Sequence, residues 1–459
     1  LSPARQADTA RQSIMTSVAL LAQDDLAAVF AWRPEGPVSV ADYLADVHAL
    51  AGRLPASGHL LNLCHDRYRF AVGFGAGLLR GMTSLQPSSQ SPETFCRLRD
   101  EFPDLLALCD GATDTLDLPR FDFPELTGDR SATGMPHIPA EHLAAILFTS
   151  GSTGLPQAQR KTWGKLAQNG RAEAVALGLD GRPHVLVGTV PVQHSYGFES
   201  TFLLALHGGC AFWAGKPFYP QDIASALAAV PQPRLLVTTP FHLSALLASG
   251  IDLPAIDLLL SATAPLSTPL AADAEARTGA PLLEIYGSTE SGQLASRRTT
   301  EGAAWTLLPG VRLEQTADDT LACAGHVEGR VALSDVIELL PDNRFLLHGR
   351  HADLINIAGK RTSLAYLNHQ LAAVPGVVDG AFFLPDDEGA DGITRLTAFV
   401  VAPGLSARQI TAALRQRIEA IFLPRPLVLV DELPRNSTGK LPRSGLQALY
   451  TDRVGHGRG

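Results

Sequence analysis

The sequence is poor in cysteine, and its five cysteines do not have the Cys-x-x-Cys spacing of zinc sites. Their scattered positions also argue against a disulfide framework and are typical of a reducing compartment. No run of 18 apolar residues occurs, so we expect no membrane span. The first residues lack the basic and then apolar pattern of a secretory signal. Together these absences predict a cytoplasmic protein.

Positive charge is also scarce, since 37 Lys and Arg stand against 46 Asp and Glu in 459 residues. Residues 349–459 nevertheless hold 13 Lys and Arg against 10 Asp and Glu, a net charge of +3. Residues 1–348 therefore hold 24 against 36, a net charge of −12. The contrast predicts an N-terminal domain, 1–348, and a C-terminal domain, 349–459, with different partners. The acidic body makes nucleic acid an unexpected partner.

Short apolar runs alternate with helical patterns over most of the chain. Leu258–Ser261 is typical of a buried strand, whereas Gln221–Ala229 and Phe241–Ala248 have helical spacing. This alternation predicts an α/β fold with parallel sheets flanked by helices. From about residue 303 shorter runs predict a small antiparallel meander. The residues after Gly349 predict short strands and one helix around Ala407–Ile421, which is a small α+β domain.

Two glycine patterns fall short of common nucleotide-binding motifs. Gly73, Gly75 and Gly77 would need a glycine in place of Leu78 to match the dinucleotide fingerprint. We interpret them as sites of close helix packing. No Gly-Lys-Ser/Thr stands in register for a Walker P-loop, which disfavours kinases and GTPases of that type.

A loop rich in hydroxyl groups and glycine follows the strand-like run Leu143–Leu147. Glycine lets a backbone approach an anion closely, and the hydroxyls add hydrogen-bond donors. The segment therefore predicts a phosphate-binding loop, although Ser/Gly runs also form flexible linkers. The predicted phosphate ligands are Thr149, Ser150, Gly151, Ser152, Thr153 and Gly154.

Three further segments have to be considered together with the predicted phosphate-binding loop. They are Tyr286-Gly-Ser-Thr-Glu290, Asp335 with the later run Gly349–Gly359, and Pro434-Arg-Asn-Ser-Thr-Gly-Lys440. In this order the four segments resemble the adenylate-forming superfamily of acyl- and aryl-CoA synthetases, peptide-synthetase adenylation domains and luciferases. The resemblance implies a large N-terminal domain with a small β-barrel-like subdomain, and a small mobile C-terminal domain.

The resemblance also implies the reaction, in which a carboxylic acid and ATP give an acyl adenylate and pyrophosphate. Lys440 would act on the α-phosphate and the reacting carboxylate, where a flexible ammonium can follow the moving charge. Thr289 would contact the α-phosphate, and Glu290 would bind Mg²⁺ through oxygen. By itself, the Thr289–Glu290 pair could equally begin a helix.

The nucleoside would be held by residues from three of the segments. Asp335 is similar to the carboxylate that accepts both ribose hydroxyls, and Arg350 to the arginine that donates to them. Thr263 and Ala264 would form one wall of the adenine slot, and Tyr286 would stack on the other face. The alternatives are core packing for Tyr286 and a turn position for Asp335.

The acid pocket would include His194, Phe198 and Gly287, with His194 beside the acyl carboxylate. Peptide synthetases have an aspartate in this segment that pairs with the substrate amine, whereas this chain has no acid before Glu199. An aryl or acyl acid is therefore favoured over an amino acid. The second half-reaction would pass the acyl group to CoA or to the phosphopantetheine of an acyl carrier protein.

Several positions depart from the family pattern. Gln157 replaces the usual lysine after the phosphate loop, which would either weaken triphosphate binding or transfer the role of that lysine to Arg160 or Lys161. Ala352 and Asp353 occupy the hinge, with alanine at the pivot, and Gly359 would line the thiol channel. These departures resemble the stand-alone ligases found beside bacterial aryl-polyene or pigment pathways. They also leave open a non-catalytic nucleotide-binding protein, or an acyl-adenylate synthase without thiolation.

Overall fold

The structure is a computed structural model of the chain. It describes residues 17–87, 89–111, 117–126, 134–149, 157–179, 181–316, 319–350, 354–357, 360–385, 396–436 and 441–454.

The larger of the two main sheets has eleven strands in the described residues, and its six central strands run parallel. Its order is β21-β22-β17-β16-β15-β14-β13-β11-β12-β2-β3, with antiparallel strands at both ends. The strands are β2 (Val29–Arg33), β3 (Gly36–Ser39), β11 (Val185–Gly188), β12 (Ala211–Trp213), β13 (Arg234–Thr238), β14 (Leu258–Ser261), β15 (Leu282–Ser288), β16 (Gly292–Arg298), β17 (Trp305–Leu307), β21 (Asp335–Leu340) and β22 (Arg344–Arg350).

The second main sheet has the order β10-β9-β5-β4-β6-β7, and only its β9–β10 pair is antiparallel. Its strands are β4 (His59–Asn62), β5 (Thr83–Gln86), β6 (Leu105–Cys109), β7 (Arg120–Asp122), β9 (Leu143–Thr149) and β10 (Gln157–Thr162). The smaller sheets comprise β1 (Ser17–Ala19) with β8 (His137–Pro139), β18 (Arg312–Gln315) with β19 (Thr320–Cys323) and β20 (Arg330–Leu333), β23 (Leu354–Ile357) with β24 (Lys360–Ser363), and β25 (Asp379–Phe383) with β26 (Thr397–Val401) and β27 (Leu427–Leu429).

Helices connect most of the parallel strands, and many begin at a polar residue whose side chain accepts a hydrogen bond from the first turn. Ser39, for example, forms a capping box with Asp42. The helices are α1 (Val40–Ala51), α2 (Arg67–Leu79), α3 (Pro92–Glu101), α4 (Trp163–Ala176), α5 (Ser195–Gly197), α6 (Leu204–His207), α7 (Pro220–Ala228), α8 (Pro240–Ala248), α9 (Thr268–Thr278), α10 (Leu364–Ala372), α11 (Ala407–Leu414) and α12 (Arg443–Arg453). A π-helical segment, Phe198–Leu203, joins α5 to α6.

The glycines of α2 pack closely against their surroundings, as the sequence predicted. A Cβ at Gly73 would lie 2.5 Å from a methyl carbon of Leu108, and one at Gly75 would lie 2.9 Å from Val47. Any side chain at these positions would therefore push α2 away from α1 and from the second main sheet. Packing density in protein interiors leaves no room for such a shift.

The observed architecture is the predicted α/β fold, with a large mixed N-terminal part and a smaller C-terminal part of helices and sheets. The antiparallel meander is present in β17 to β22, and the sheet β18-β19-β20 shares a hydrophobic core with β21 and β22. The predicted helix around Ala407–Ile421 is shorter, because α11 ends at Leu414 and a 3₁₀ turn follows at Ala420–Phe422. The domain boundary at 348/349 stays a prediction, and strand β22 runs across it to Arg350. Among the described residues, no helix has both the length and the apolar character needed to cross a membrane.

Candidate active site

Three of the predicted site residues follow neighbouring strands of the larger sheet, at one edge. Strands β11, β13, β14 and β15 are parallel neighbours, so that their carboxyl ends share this edge. The segments that follow β11, β14 and β15 contain His194, Thr263 and Thr289. Parallel sheets commonly bind ligands in the crevice outside the carboxyl ends of their strands. The fold therefore brings together three segments that are far apart in the sequence.

Thr289 and Glu290 lie in the tight turn between β15 and β16, which we call the metal turn and define as Ser288–Ser291. The alternative that this pair begins a helix is wrong, because β15 and β16 form an antiparallel hairpin. The hydroxyl of Thr289 donates to Oγ of Ser195 at 3.3 Å. This contact joins the metal turn to the segment that contains His194.

Tyr286 and Asp335 are in direct contact, since the Tyr286 hydroxyl donates to Oδ2 of Asp335 at 2.8 Å. The ring of Tyr286 also packs against Trp305 and Phe345, with centroid distances of 5.7 and 5.6 Å. Tyr286 thus has core contacts and yet remains partly exposed. One side of its ring belongs to the core, while its hydroxyl orients the carboxylate predicted to bind the ribose.

Thr263 has a positive φ of 78°, and Ala264 follows it in the same bend. A β-branched residue is strained in this region of φ/ψ space, typically by about 1–3 kcal/mol, and such strain concentrates at functional sites. The strain is consistent with the predicted role of this bend as a wall of the adenine slot.

His194 caps the short helix α5, and its Nδ1 accepts a hydrogen bond from the Tyr196 amide at 3.3 Å. The segment before it is held by Arg67, whose guanidinium donates to the carbonyls of Gly188 and Val190 at 2.8 and 2.9 Å. Arg67 is only 2% exposed, and burial lowers its pKa to about 10. This buried cation therefore fixes the path of the backbone that leads to His194.

Phe198, which is predicted to belong to the acid pocket, is 0% exposed in this structure. Its ring packs inside an aromatic cluster, 5.5 Å from the ring centroids of both Phe74 and Phe202. Its role in the acid pocket stays a prediction. Gly287, in contrast, is exposed, and a Cβ there would lie 2.3 Å from the Gly292 carbonyl oxygen. Only glycine fits at this point of the hairpin.

A buried polar network lies behind the site, between α4, the π-helical segment and β16. Glu173 accepts a hydrogen bond from Gln293 at 3.0 Å, and Gln293 also donates to Ser200 at 2.6 Å. Burial raises the pKa of Glu173 to about 7, and burial also raises the pKa of Glu199. Glu199 is hydrogen-bonded to Asn169 and is only 5% exposed. Its carboxylate therefore belongs to this buried network.

Part of the predicted site lies outside the described residues. This applies to Ser150, Gly151, Ser152, Thr153 and Gly154 of the phosphate loop, to Ala352, Asp353 and Gly359, and to Lys440. Thr149 is described and ends strand β9. For Arg350 the backbone is described, and it pairs with Asp335 in the β21–β22 ladder. The roles of all these residues remain predictions.

The metal turn fits the ligand needs of Mg²⁺. Among the described residues no cluster of three or more His, Cys, Asp or Glu could form a protein cage for a metal. Mg²⁺ is usually held by one or two carboxylates together with substrate phosphates and water. Within the described part of the chain, no hydrogen bond engages the carboxylate of Glu290, which is partly exposed. Glu290 would therefore supply one oxygen to an ion that accompanies ATP.

The sequence did not identify Arg67 as a functional residue, and it did not predict that Lys161 is buried. A cation in the first turn of a helix is unfavourable for the helix dipole, and this was the signal that Arg67 has a specific partner. Lys161 was considered as a substitute ligand for the phosphates, but it is 5% exposed and donates to the Glu290 carbonyl at 2.8 Å. Arg160, its neighbour, is exposed and stays a candidate for contact with the phosphates.

Comparison with known proteins identifies the family of this chain. A model of the AMP-binding enzyme family matches residues 96–331, and a model of the AMP-binding enzyme C-terminal domain matches residues 368–440. The 4-coumarate–CoA ligase of Halorhodospira halophila is 31% identical over 336 residues, which cover 70% of this chain and 78% of that protein. The chain belongs to the AMP-binding enzyme family, which is the adenylate-forming superfamily that its motifs resemble.

A second relative agrees with this assignment, and two solved structures share the fold. The 4-coumarate–CoA ligase of Rhodobacter capsulatus is 32% identical over 282 residues, 61% of this chain and 69% of that protein. The ATP-bound MatB of Rhodopseudomonas palustris superposes with a TM-score of 0.78 at 20% identity, covering 94% of this chain and 97% of MatB. The o-succinylbenzoate CoA synthetase of Bacillus subtilis gives a TM-score of 0.79 at 18% identity, covering 94% and 98%. At such identities the structural likeness demonstrates the fold alone.

Proposed function

We propose that this protein is an ATP-dependent acid–thiol ligase that forms an acyl adenylate and then transfers the acyl group to a thiol. The observation that carries the proposal is the meeting of the metal turn with the His194 segment, through the 3.3 Å contact between Thr289 and Ser195. A carboxylate beside His194 and an α-phosphate beside Thr289 would then be neighbours. Holding two anionic reactants in line is the main requirement of this reaction.

The remaining roles follow the motifs. Asp335, oriented by Tyr286, would hold the ribose together with Arg350, and the bend at Thr263 would border the adenine. Glu290 would bind Mg²⁺, and Lys440 would stabilise the charge that develops at the α-phosphate. In the second half-reaction the C-terminal domain would rotate and replace Lys440 with the loop at Gly359. Such a rotation separates two reactions in one pocket.

The proposed substrate class is an aryl or unsaturated acyl acid. In an assay of pyrophosphate release, such acids are expected to exceed amino acids by about 10²-fold or more. The reason is that a buried ammonium without a counter-charge costs several kcal/mol. Glu199 follows the His194 segment, but its carboxylate is buried beside Asn169 and Lys161. The relatives named 4-coumarate–CoA ligase support the aryl class.

The panel should include 4-coumarate, a medium-chain fatty acid, malonate and several amino acids, each with and without CoA. Reactions without acid measure background hydrolysis of ATP. Strong pyrophosphate release with amino acids alone would contradict the proposed substrate class. ATP binding without pyrophosphate release for any acid would instead support a non-catalytic nucleotide-binding protein. Adenylate formation without a thioester product would identify an acyl-adenylate synthase.

A carrier protein is a second candidate for the acyl acceptor, because Arg408, Arg415 and Arg417 are exposed on and just after α11. Carrier proteins are usually acidic, so attraction to this basic face would speed encounter and weaken with salt. If a carrier protein is the acceptor, its acylation should exceed that of free CoA at low salt and fall at high salt. Charge reversal at Arg415 should also reduce acylation of the carrier protein at low salt.

The matched control is charge reversal at Arg453, an exposed arginine on a different helix, α12. Equal losses for the two variants would point to a general effect of net charge. A preference for free CoA that does not change with salt would leave an acyl- or aryl-CoA ligase as the function.

A further inference from the structure

The side chain of Lys161 is a buried cation that contacts the metal turn. It lies on β10, the strand that follows the phosphate loop, and its neighbours Gln157, Ala158 and Arg160 on that strand are exposed. The side chain of Lys161 is instead buried, and Nζ donates to the carbonyl oxygen of Glu290 at 2.8 Å. One hydrogen bond thus joins the exit of the phosphate loop to the turn predicted to bind the metal.

Burying this ammonium is unfavourable by itself, because it loses its hydration. Burial lowers the pKa of Lys161, while the nearby carboxylates of Glu199, Glu328 and Glu290 raise it. Glu328 is itself fixed by the Thr162 amide and hydroxyl, at 2.7 and 2.6 Å. The three carboxylates therefore stabilise the positive charge of Lys161 and offset part of the free-energy cost of burying it.

The hydrogen bond acts on the backbone of the metal turn, and the carboxylate of Glu290 attracts the same ammonium electrostatically. From the opposite side the turn is held by the Thr289–Ser195 contact, and within it the hydroxyls of Ser288 and Ser291 lie 3.1 Å apart. Lys161 thus restrains the backbone of Glu290, from which the carboxylate side chain extends.

We infer that Lys161 is a positioning residue for the metal turn, fixing the Glu290 backbone so that its carboxylate meets the Mg²⁺ that accompanies ATP. This inference rests on the proposed function, since it names what orients the residue proposed to bind the metal. In this inference Lys161 contacts the metal turn, whereas the sequence predicted a contact between Lys161 and the phosphates of ATP. A phosphate ligand would affect the affinity for ATP at any Mg²⁺ concentration, whereas a positioning residue should change the Mg²⁺ requirement itself.

The test is Lys161→Met compared with Lys165→Met. Lys165 is a matched control because its ammonium also donates to a backbone carbonyl, that of Gly325 at 2.5 Å, but not in the metal turn. We expect Lys161→Met to raise the Mg²⁺ concentration for half-maximal ATP binding by about tenfold, the effect of losing one charge-assisted hydrogen bond. Lys165→Met should leave that concentration unchanged. Isothermal calorimetry of ATP binding across a Mg²⁺ series measures this without any turnover.

A double-mutant cycle with Glu290→Gln separates positioning from a general structural effect. If Lys161 acts through the Glu290 carboxylate, adding Lys161→Met to Glu290→Gln should not raise the Mg²⁺ requirement again. Independent, additive effects would overturn the inference, and so would a Lys161→Met variant that behaves like Lys165→Met. If Lys161→Met does not fold, the double variant Lys161→Met/Glu199→Gln removes both buried charges and serves in its place. A wild-type protein that binds Mg²⁺ and ATP but activates no acid would refute the proposed function alone.

Discussion

Lys440→Ala is expected to abolish adenylate formation while leaving thiolation of a presynthesised acyl adenylate largely intact. The ammonium is proposed to stabilise charge on the α-phosphate and the carboxylate in the first half-reaction only. Removing one such electrostatic contact commonly costs 10²–10³-fold in rate, and we expect a loss of at least about 10²-fold here. The measurements are pyrophosphate release for the first half-reaction and thioester formation from the adenylate for the second.

Arg453→Ala is the control for Lys440→Ala. It removes a positive charge from the C-terminal part of the chain, at an exposed position beside Asp452, and both half-reactions should survive it. If Lys440→Ala reduces the two half-reactions equally, the assignment of Lys440 to adenylation alone is wrong.

Asp335→Ala is expected to raise the KM for ATP by about 10²-fold. The carboxylate is proposed to accept two ribose hydroxyls, and hydrogen bonds to charged groups contribute about 1.5–3 kcal/mol each before the remaining contacts adjust. The kcat at saturating ATP should change less, because the ribose is remote from the reacting atoms. Steady-state kinetics with ATP varied at saturating acid separate the two effects.

Two further variants test whether the increase in KM is specific to the carboxylate of Asp335. Glu338→Ala removes an exposed carboxylate from the same strand, where it pairs with His348 at 2.9 Å, and should leave the KM for ATP unchanged. Tyr286→Phe keeps the ring against Trp305 and removes only the hydroxyl that orients Asp335, so a smaller increase in KM is expected. An unchanged KM in Asp335→Ala would remove this residue from the nucleotide site.

Local sequence was sufficient to predict many of the elements. Helix α1 begins after Ser39 because a capping box and apolar spacing are both encoded within a few residues. Strand β14 has the predicted bounds Leu258–Ser261, since a short apolar run between turn residues has few other stable solutions. The α/β class followed from the alternation of such runs, and the family followed from motifs that are each contiguous in sequence.

The contacts between segments could not be predicted in the same way. The atoms joined by the Lys161–Glu290 hydrogen bond belong to residues 129 positions apart, and those joined by Arg67 and Gly188 to residues 121 positions apart. Whether such groups meet depends on strand order, on register and on how the two main sheets pack, and a local pattern contains none of these. For the same reason the burial of Phe198 was not predicted, because the aromatic cluster around it includes Phe74 from another helix.

The sequence by itself thus determined the family, the secondary structure and the residue types available for chemistry, because motifs and hydrophobic periodicity are short-range properties. Only the tertiary structure decided that Tyr286 orients Asp335, that Arg67 holds the backbone leading to His194, and that Lys161 contacts the metal turn. A buried charge can be stabilised only by partners that folding brings to it, and those partners come from distant parts of the chain.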